Sequence, residues 1–144
     1  QYRVTLDRAF GQVIRCCAAS PRPGGEGTWL VPEMIEAYER LHELGVAHSA
    51  EAWDGEGLAG GVYGVALGRA FFAESMFFLR PNASKVALVG LVEFLADRGV
   101  ELVDCQQTTP HVLRFGAREI TRSEFIQRLN QALGQPGLVG KWCG

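Results

Sequence analysis

The stretch LVDCQQTTPH (residues 102–111) carries an acid and two amides where an apolar strand gives way to a turn. In a strand, residues two apart share a face, with Cα atoms roughly 6.5–7 Å apart. Asp104 and Gln106 therefore project together with Leu102, while Val103 and Cys105 face the other way. One reading is a capped strand end, with Asp104 taking up the backbone amides of QTTPH. The other is a reactive pair. An amide is no base at neutral pH, so Gln106 would orient a proton-bearing group and Asp104 would stabilise charge developing on it. Glu74 raises a related question, because it lies among Phe, Ala and Met in AFFAESMFF (70–78), where a carboxylate needs a partner. That partner is either a structural cation or a ligand. Asn82, Ser84 and Lys85 open an apolar segment and stand at a helix N-terminus, where they cap the helix or meet an anion. His42, His48 and His111 are dispersed in no order that suits a nucleophilic triad. Cys16, Cys17, Cys105 and Cys143 have no zinc spacing, and no cation activates Cys105, so neither a metal site nor a thiol nucleophile is expected.

These side chains need elements to hold them. YRVT (2–5) reads as a short strand, and Asp7 is placed to cap a helix over 8–19. SPRPGGEGT (20–28) is a loop. Pro32 starts a second helix, which Gly45 stops. AHSAEAW (47–53) alternates as a strand does, DGEG (54–57) is a hairpin turn, and residues 58–68 and 70–78 make two further antiparallel strands. A largely buried helix spans 82–98, its apolar positions including Val86, Leu88, Leu91, Val92 and Leu95; Gly99 ends it. A strand over 101–106, a short helix from Thr109-Pro110 to Gly116, and a last helix over roughly 122–133 complete the order β-α-α-β-β-β-α-β-α-α. Thr121 and Glu124 form a capping box for that last helix. This predicts an α+β sandwich with a mixed, mostly antiparallel sheet flanked by helices. Residues 1–133 form one domain and 134–144 a loose tail.

The chain has 144 residues, enough for one ordinary core, with 47% apolar and 21% charged residues, as in soluble globular proteins. Its formal net charge of −2 and its two lysines, Lys85 and Lys141, leave any nucleic-acid contact to local arginines. Unpaired cysteines and the absence of a signal-like or membrane-length apolar run point to the cytoplasm, with no membrane partner.

The order of several blocks is more specific than any single motif. GTWLVPEMIEAYERLHELGVAHSAEAW, GGVYGVALGRAFFAESMF, NASKVAL, VDCQ and FGAREITRSEF resemble, in order and spacing, blocks of the leucyl/phenylalanyl-tRNA–protein transferase family. The resemblance runs from about residue 4 to 133. It implies the GNAT-like acyltransferase fold, without the glycine-rich coenzyme A loop, for which this chain offers LRPNASK. It implies transfer of Leu, Phe or sometimes Met from the 3′ aminoacyl-adenosine end of aminoacyl-tRNA to the N-terminal amine of proteins or peptides beginning with Arg or Lys. The product is marked for N-end-rule degradation. No cofactor is implied, and a monomer is expected.

On the residues that match, the resemblance casts Asp104, Gln106 and Glu74 as catalytic. Gln106 aligns the attacking amine, Asp104 polarises it or pairs with the acceptor's cationic side chain, and Glu74 meets the donor's amine or ribose. Trp29, Val62, Phe71, Leu88 and Leu91 are candidates for the donor's side-chain pocket, with Gly60 and Gly61 letting a ligand approach the backbone. Asn82, Ser84 and Lys85 would hold the terminal nucleotide's phosphate. Two departures stand out. The family carries an additional N-terminal domain with much of its basic surface, and this chain begins where that domain would end, as a short member or a fragment. And SMFFLRPNASK replaces S-M-F-S/H-R-x-x-N/D-A-S-K, so Phe78 and Leu79 stand where a small or polar residue and an Arg are usual, Arg80 sits one position later, and Ala73 replaces a Gly. A GNAT-type acyltransferase with another aminoacyl donor, or a non-catalytic module binding N-terminal Arg/Lys peptides, are the alternatives.

Overall fold

The structure, a computed structural model, describes residues 2–19, 31–100, 102–104 and 122–134. Trp29, Gln106, His111, the expected helix near 109–116 and the tail beyond 134 lie outside the described residues. Five strands form one sheet in the order β1-β2-β3-β4-β5. They are β1 (Arg3–Leu6), β2 (Ala47–Asp54), β3 (Gly57–Leu67), β4 (Ala70–Phe78) and β5 (Leu102–Asp104). The first four are antiparallel neighbours, and β5 returns parallel to β4. Among the described residues there are four helices: α1 (Phe10–Ala19), α2 (Pro32–Glu43), α3 (Ala83–Asp97) and α4 (Arg122–Leu133). This is the expected mixed, mostly antiparallel sheet between helices.

The two faces of the sheet bury different layers. On one, Val62 of β3 and Phe71 of β4 pack under α3 with Ala83, Ala87, Leu91 and Leu95. On the other, Tyr63 and Phe77 pack against Phe10, Val13, Ile14 and Cys17 of α1, with Tyr38 and Ile35 of α2 beside them. Phe72 shares this second side, where it meets Phe125 and Leu129 of α4. Covered on both faces, β2 is buried from Ala47 to Ala52. α3 is less enclosed than expected, since Val92 is exposed.

Polar residues inside β2 tie the α1–α2 layer to the sheet. Glu51 is fully buried. Its Oε1 accepts hydrogen bonds from the Thr5 hydroxyl (2.6 Å) and the Arg8 amide (3.1 Å), and its Oε2 from the Ser49 hydroxyl. Trp53 Nε1 donates to Thr5 Oγ1 over 2.8 Å. Asp7 was expected to cap α1, but it sits at φ 56° with its carboxylate buried. Its Oδ1 accepts from the Ser49 amide (2.9 Å), and its Oδ2 accepts from His48 Nδ1 (2.7 Å). His48 Nε2 donates to the Gly45 carbonyl (2.9 Å), so its two nitrogens bridge the turn after β1 to the end of α2. Glu51 thus takes up the Arg8 amide just ahead of α1.

Candidate active site

The strand order that buries the core also gathers the acids. β3 and β4 pair Tyr63 with Ser75 and Gly64 with Ala73, so Glu74 is the extra residue of a β-bulge. The bulge needs a glycine opposite it. A Cβ on Gly64 would run into the Phe72 carbonyl oxygen and lie 2.7 Å from the Phe71 ring. Glu74 Oε1 accepts a hydrogen bond from the Tyr38 hydroxyl of α2 over 3.3 Å. Burial pushes the Tyr38 phenol up to about 12, with the Glu74 carboxylate beside it adding to the effect. Tyr63 meets Tyr38 edge-on, with ring centroids 5.4 Å apart. Glu74 is thus fixed on the α1–α2 side of the sheet.

Asp104 arrives on that same side. Its register partner is Phe72, and Leu102, two residues earlier, packs on Ala132 of α4 while Val103 packs under α3. By alternation Asp104 shares the face of Leu102. Glu74 lies two residues beyond Phe72 on the adjacent strand, so the two acids stand roughly 8 Å apart at their Cα atoms, from the strand rise and spacing. Described pairing of β4 with β5 ends at Phe72 and Asp104, and β4 runs on to Phe78.

β4 and β5 run parallel and α3 follows β4, so both carboxyl ends and the start of α3 lie toward one end of the sheet. In open sheets with parallel strands, this is the end where ligands bind. Asn82, the N-cap of α3, sits in the left-handed region at φ 66°, and its side chain makes no capping hydrogen bond. Ser84 is buried and Lys85 half-buried in the first turn. Gly60 lets α3 come this close to β3, since a Cβ there would lie 2.7 Å from Ala83 Cβ and 2.8 Å from the Ser84 nitrogen.

Four of the apolar candidates come together under α3, on the face of the sheet opposite Glu74 and Asp104. Val62, Phe71 and Leu91 share the cluster under α3, and Leu88 is fully buried on the same helix. A groove of about 630 Å³ lined by Val4, Leu6, Gly90 and Phe94 lies at the β1 edge, away from Asp104. Among the described residues, no group of three His, Cys, Asp or Glu is arranged to hold a metal ion, and no helix is long and apolar enough to cross a membrane. Tyr38 is the residue that sequence reasoning missed at this site. Its contact with Glu74 spans 36 positions, and no local spacing signals it.

The model of the leucyl/phenylalanyl-tRNA protein transferase family matches residues 1–130. The chain belongs to that family. It is 64% identical over 142 residues to the leucyl/phenylalanyl-tRNA–protein transferase of Anaeromyxobacter sp. (strain Fw109-5), covering 99% of this chain and 60% of that protein. It is 58% identical over 141 residues to the one from Nitratidesulfovibrio vulgaris (strain DP4), with 98% and 60% covered. The chain spans about three fifths of the length of the curated relatives it matches. Among solved structures it is similar to an aminoglycoside acetyltransferase from an uncultured soil metagenomic sample, in complex with sisomicin, at TM-score 0.61 and 16% identity, covering 83% of this chain and 91% of that one. A ribosomal-protein-alanine N-acetyltransferase from Brucella melitensis is similar at TM-score 0.56 and 13% identity, with 85% and 97% covered. At such identities the likeness is one of fold alone, the GNAT-like acyltransferase architecture.

Proposed function

We propose that this chain is an aminoacyltransferase domain that moves Leu, Phe or Met from the 3′ end of aminoacyl-tRNA to the N-terminal amine of proteins beginning with Arg or Lys. The observation that carries the reading is the placement of Glu74 and Asp104 on one face of two adjacent parallel strands, where the described pairing of those strands ends. Residues 1–133 are the working unit and 134–144 an appendage, acting as a monomer in the cytoplasm on proteins so marked for N-end-rule degradation. No cofactor is needed, because the aminoacyl ester is already activated.

The reaction is aminolysis. The acceptor's ammonium first loses a proton to solvent; a bond then forms between its α-nitrogen and the ester carbonyl carbon, the bond from that carbon to the ribose oxygen breaks, and a second proton passes from the nitrogen to the ribose oxygen. The α-amine has a pKa of about 8, so it enters mostly protonated and must be held in its neutral form. Gln106 accepts an N–H and aligns the nitrogen. Asp104 stabilises the positive charge that grows there as the bond forms. Glu74, steadied by Tyr38, receives the donor's own amine or its ribose. Trp29, Val62, Phe71, Leu88 and Leu91 form the apolar surroundings of the donor's side chain, where each methylene is worth about 1–3 kcal/mol in discrimination. Asn82, Ser84 and Lys85 meet the terminal phosphate at the α3 N-terminus.

The test is formation of Phe-peptide, read by mass, from Phe-tRNA or from phenylalanyl-adenosine and a peptide starting with Arg. Transfer from both donors, lost in Gln106→Ala, supports the reading in full. Transfer from the small donor alone places the tRNA grip in the remaining two fifths of the relatives' length. No transfer from either by folded protein favours a peptide-binding module.

A further inference from the structure

An aromatic side chain beside α3 has no part in the chemistry above. Phe78 closes β4 four residues beyond Glu74 and pairs with Gly60. Directly opposite residues of an antiparallel pair present their side chains to the same face. At Gly60 that face lies under the first turn of α3, where a Cβ would strike Ala83 and Ser84. Phe78 therefore stands against the α3 N-terminus. It is 64% exposed, and Leu79 is 65% exposed, while Phe77 one residue earlier is 3% exposed in the core.

This apolar step is firmly seated. The Leu79 and Arg80 amides both donate to the Ala59 carbonyl, over 2.7 and 3.3 Å, and the Tyr2 hydroxyl donates to the Pro81 carbonyl over 2.6 Å. Cations flank it. Lys85 lies in the first turn of α3, and the exposed Arg80 guanidinium is 3.8 Å from Asp54. A flat exposed ring on a rigid backbone, with cations and helix N–H groups beside it, suits a stacked base whose phosphate runs past those charges.

We propose that Phe78 is a stacking platform for the single-stranded nucleotide preceding the terminal aminoacyl nucleotide of the donor, with Arg80 and Lys85 toward its phosphates. This rests on the donor reading above and extends it by one nucleotide. Base–aromatic stacking contributes about 5- to 150-fold in affinity per base.

The experiment uses the 144-residue chain and two amide-linked donor analogues. One is phenylalanylamino-adenosine. The other is a trinucleotide with the same end and 2-aminopurine as its penultimate base. The wild type is expected to bind the trinucleotide more tightly and to quench its fluorescence. Phe78→Ser should weaken trinucleotide binding about 5- to 150-fold and relieve the quenching, with the adenosine analogue unchanged. Phe78→Trp should keep both properties. Equal affinity of wild type and Phe78→Ser for the trinucleotide would overturn the proposal, as would an equal loss on both analogues, which would make Phe78 a support of the terminal site. Wild-type binding of the adenosine analogue without quenching of the trinucleotide would overturn the platform and leave the donor reading standing. Binding of neither analogue would remove both.

Discussion

Replacing Gly60 by Ala tests the link between the core and the start of α3. The added Cβ would lie 2.7 Å from Ala83 Cβ and 2.8 Å from both the Ala83 carbonyl carbon and the Ser84 nitrogen. Carbon atoms settle at about 3.5–4.0 Å, so roughly 1 Å of relief is required. None of the three atoms is the end of a flexible side chain. The first turn of α3 must lift, or β3 must bend, against a close-packed layer that also holds Ala87 and Leu91. Overpacking of this kind costs about 1–3 kcal/mol. With a urea slope of about 1–3 kcal/mol per molar, the midpoint of unfolding should fall by roughly 1 M. A displacement of this size at the donor's anchoring helix should also lower kcat/KM for aminoacyl-tRNA by up to about 100-fold. Gly57→Ala is the control, because its Cβ would meet only the Asp54 carbonyl oxygen at an ordinary 3.6 Å. A Gly60→Ala protein with the wild-type midpoint and wild-type donor kinetics would refute the close approach of α3 to β3.

Other substitutions separate structure from chemistry. Glu51→Ala leaves two hydroxyls and an amide without their acceptor and should cost on the order of 3–5 kcal/mol in denaturant unfolding; Glu51→Gln should cost less, because the Ser49 hydroxyl can turn to accept. Tyr38 should titrate at about 12 in ultraviolet absorbance, so its stabilising share is whole below about 10 and lost as pH rises from there through about 12. Glu74→Gln should bring that titration down only part of the way, since burial is the larger cause. Asn82→Gly relieves a left-handed residue that makes no side-chain cap, so stability should hold or rise by up to about 1 kcal/mol; a raised donor KM in the same variant would mark the Asn82 side chain as a donor contact.

Much of the scaffold was legible because its signals are local. Pro32 and Gly45 bound α2, Asp54-Gly55 turns β2 into β3, and β4 occupies the apolar run 70–78. The sharing of a face by Leu102 and Asp104 follows from alternation alone. What escaped depends on distant parts of the chain. Asp7 looked like a helix cap by position, yet it spends its carboxylate on His48 and Ser49, about forty residues away. AHSAEAW read as an ordinary alternating strand, whereas helices on both faces bury Ala47 to Ala52. Glu74 was suspect because a carboxylate among phenylalanines needs a partner, but neither its bulge nor Tyr38 could be read from AFFAESMFF. Val92 looked apolar enough for the core and faces solvent, because the buried stripe of α3 runs through Ala83, Ser84, Ala87, Leu88, Leu91 and Leu95.

The central claim is that Asp104 stabilises the charge on an attacking amine at the end of β5. It is tested most directly by the rate of phenylalanyl transfer from phenylalanyl-adenosine to an Arg-initiated peptide, comparing the wild type with Asp104→Asn at matched thermal stability. The account predicts transfer by the wild type and a fall of about 100- to 1,000-fold in kcat for the variant, with donor KM little changed. Wild-type kcat in Asp104→Asn would contradict it.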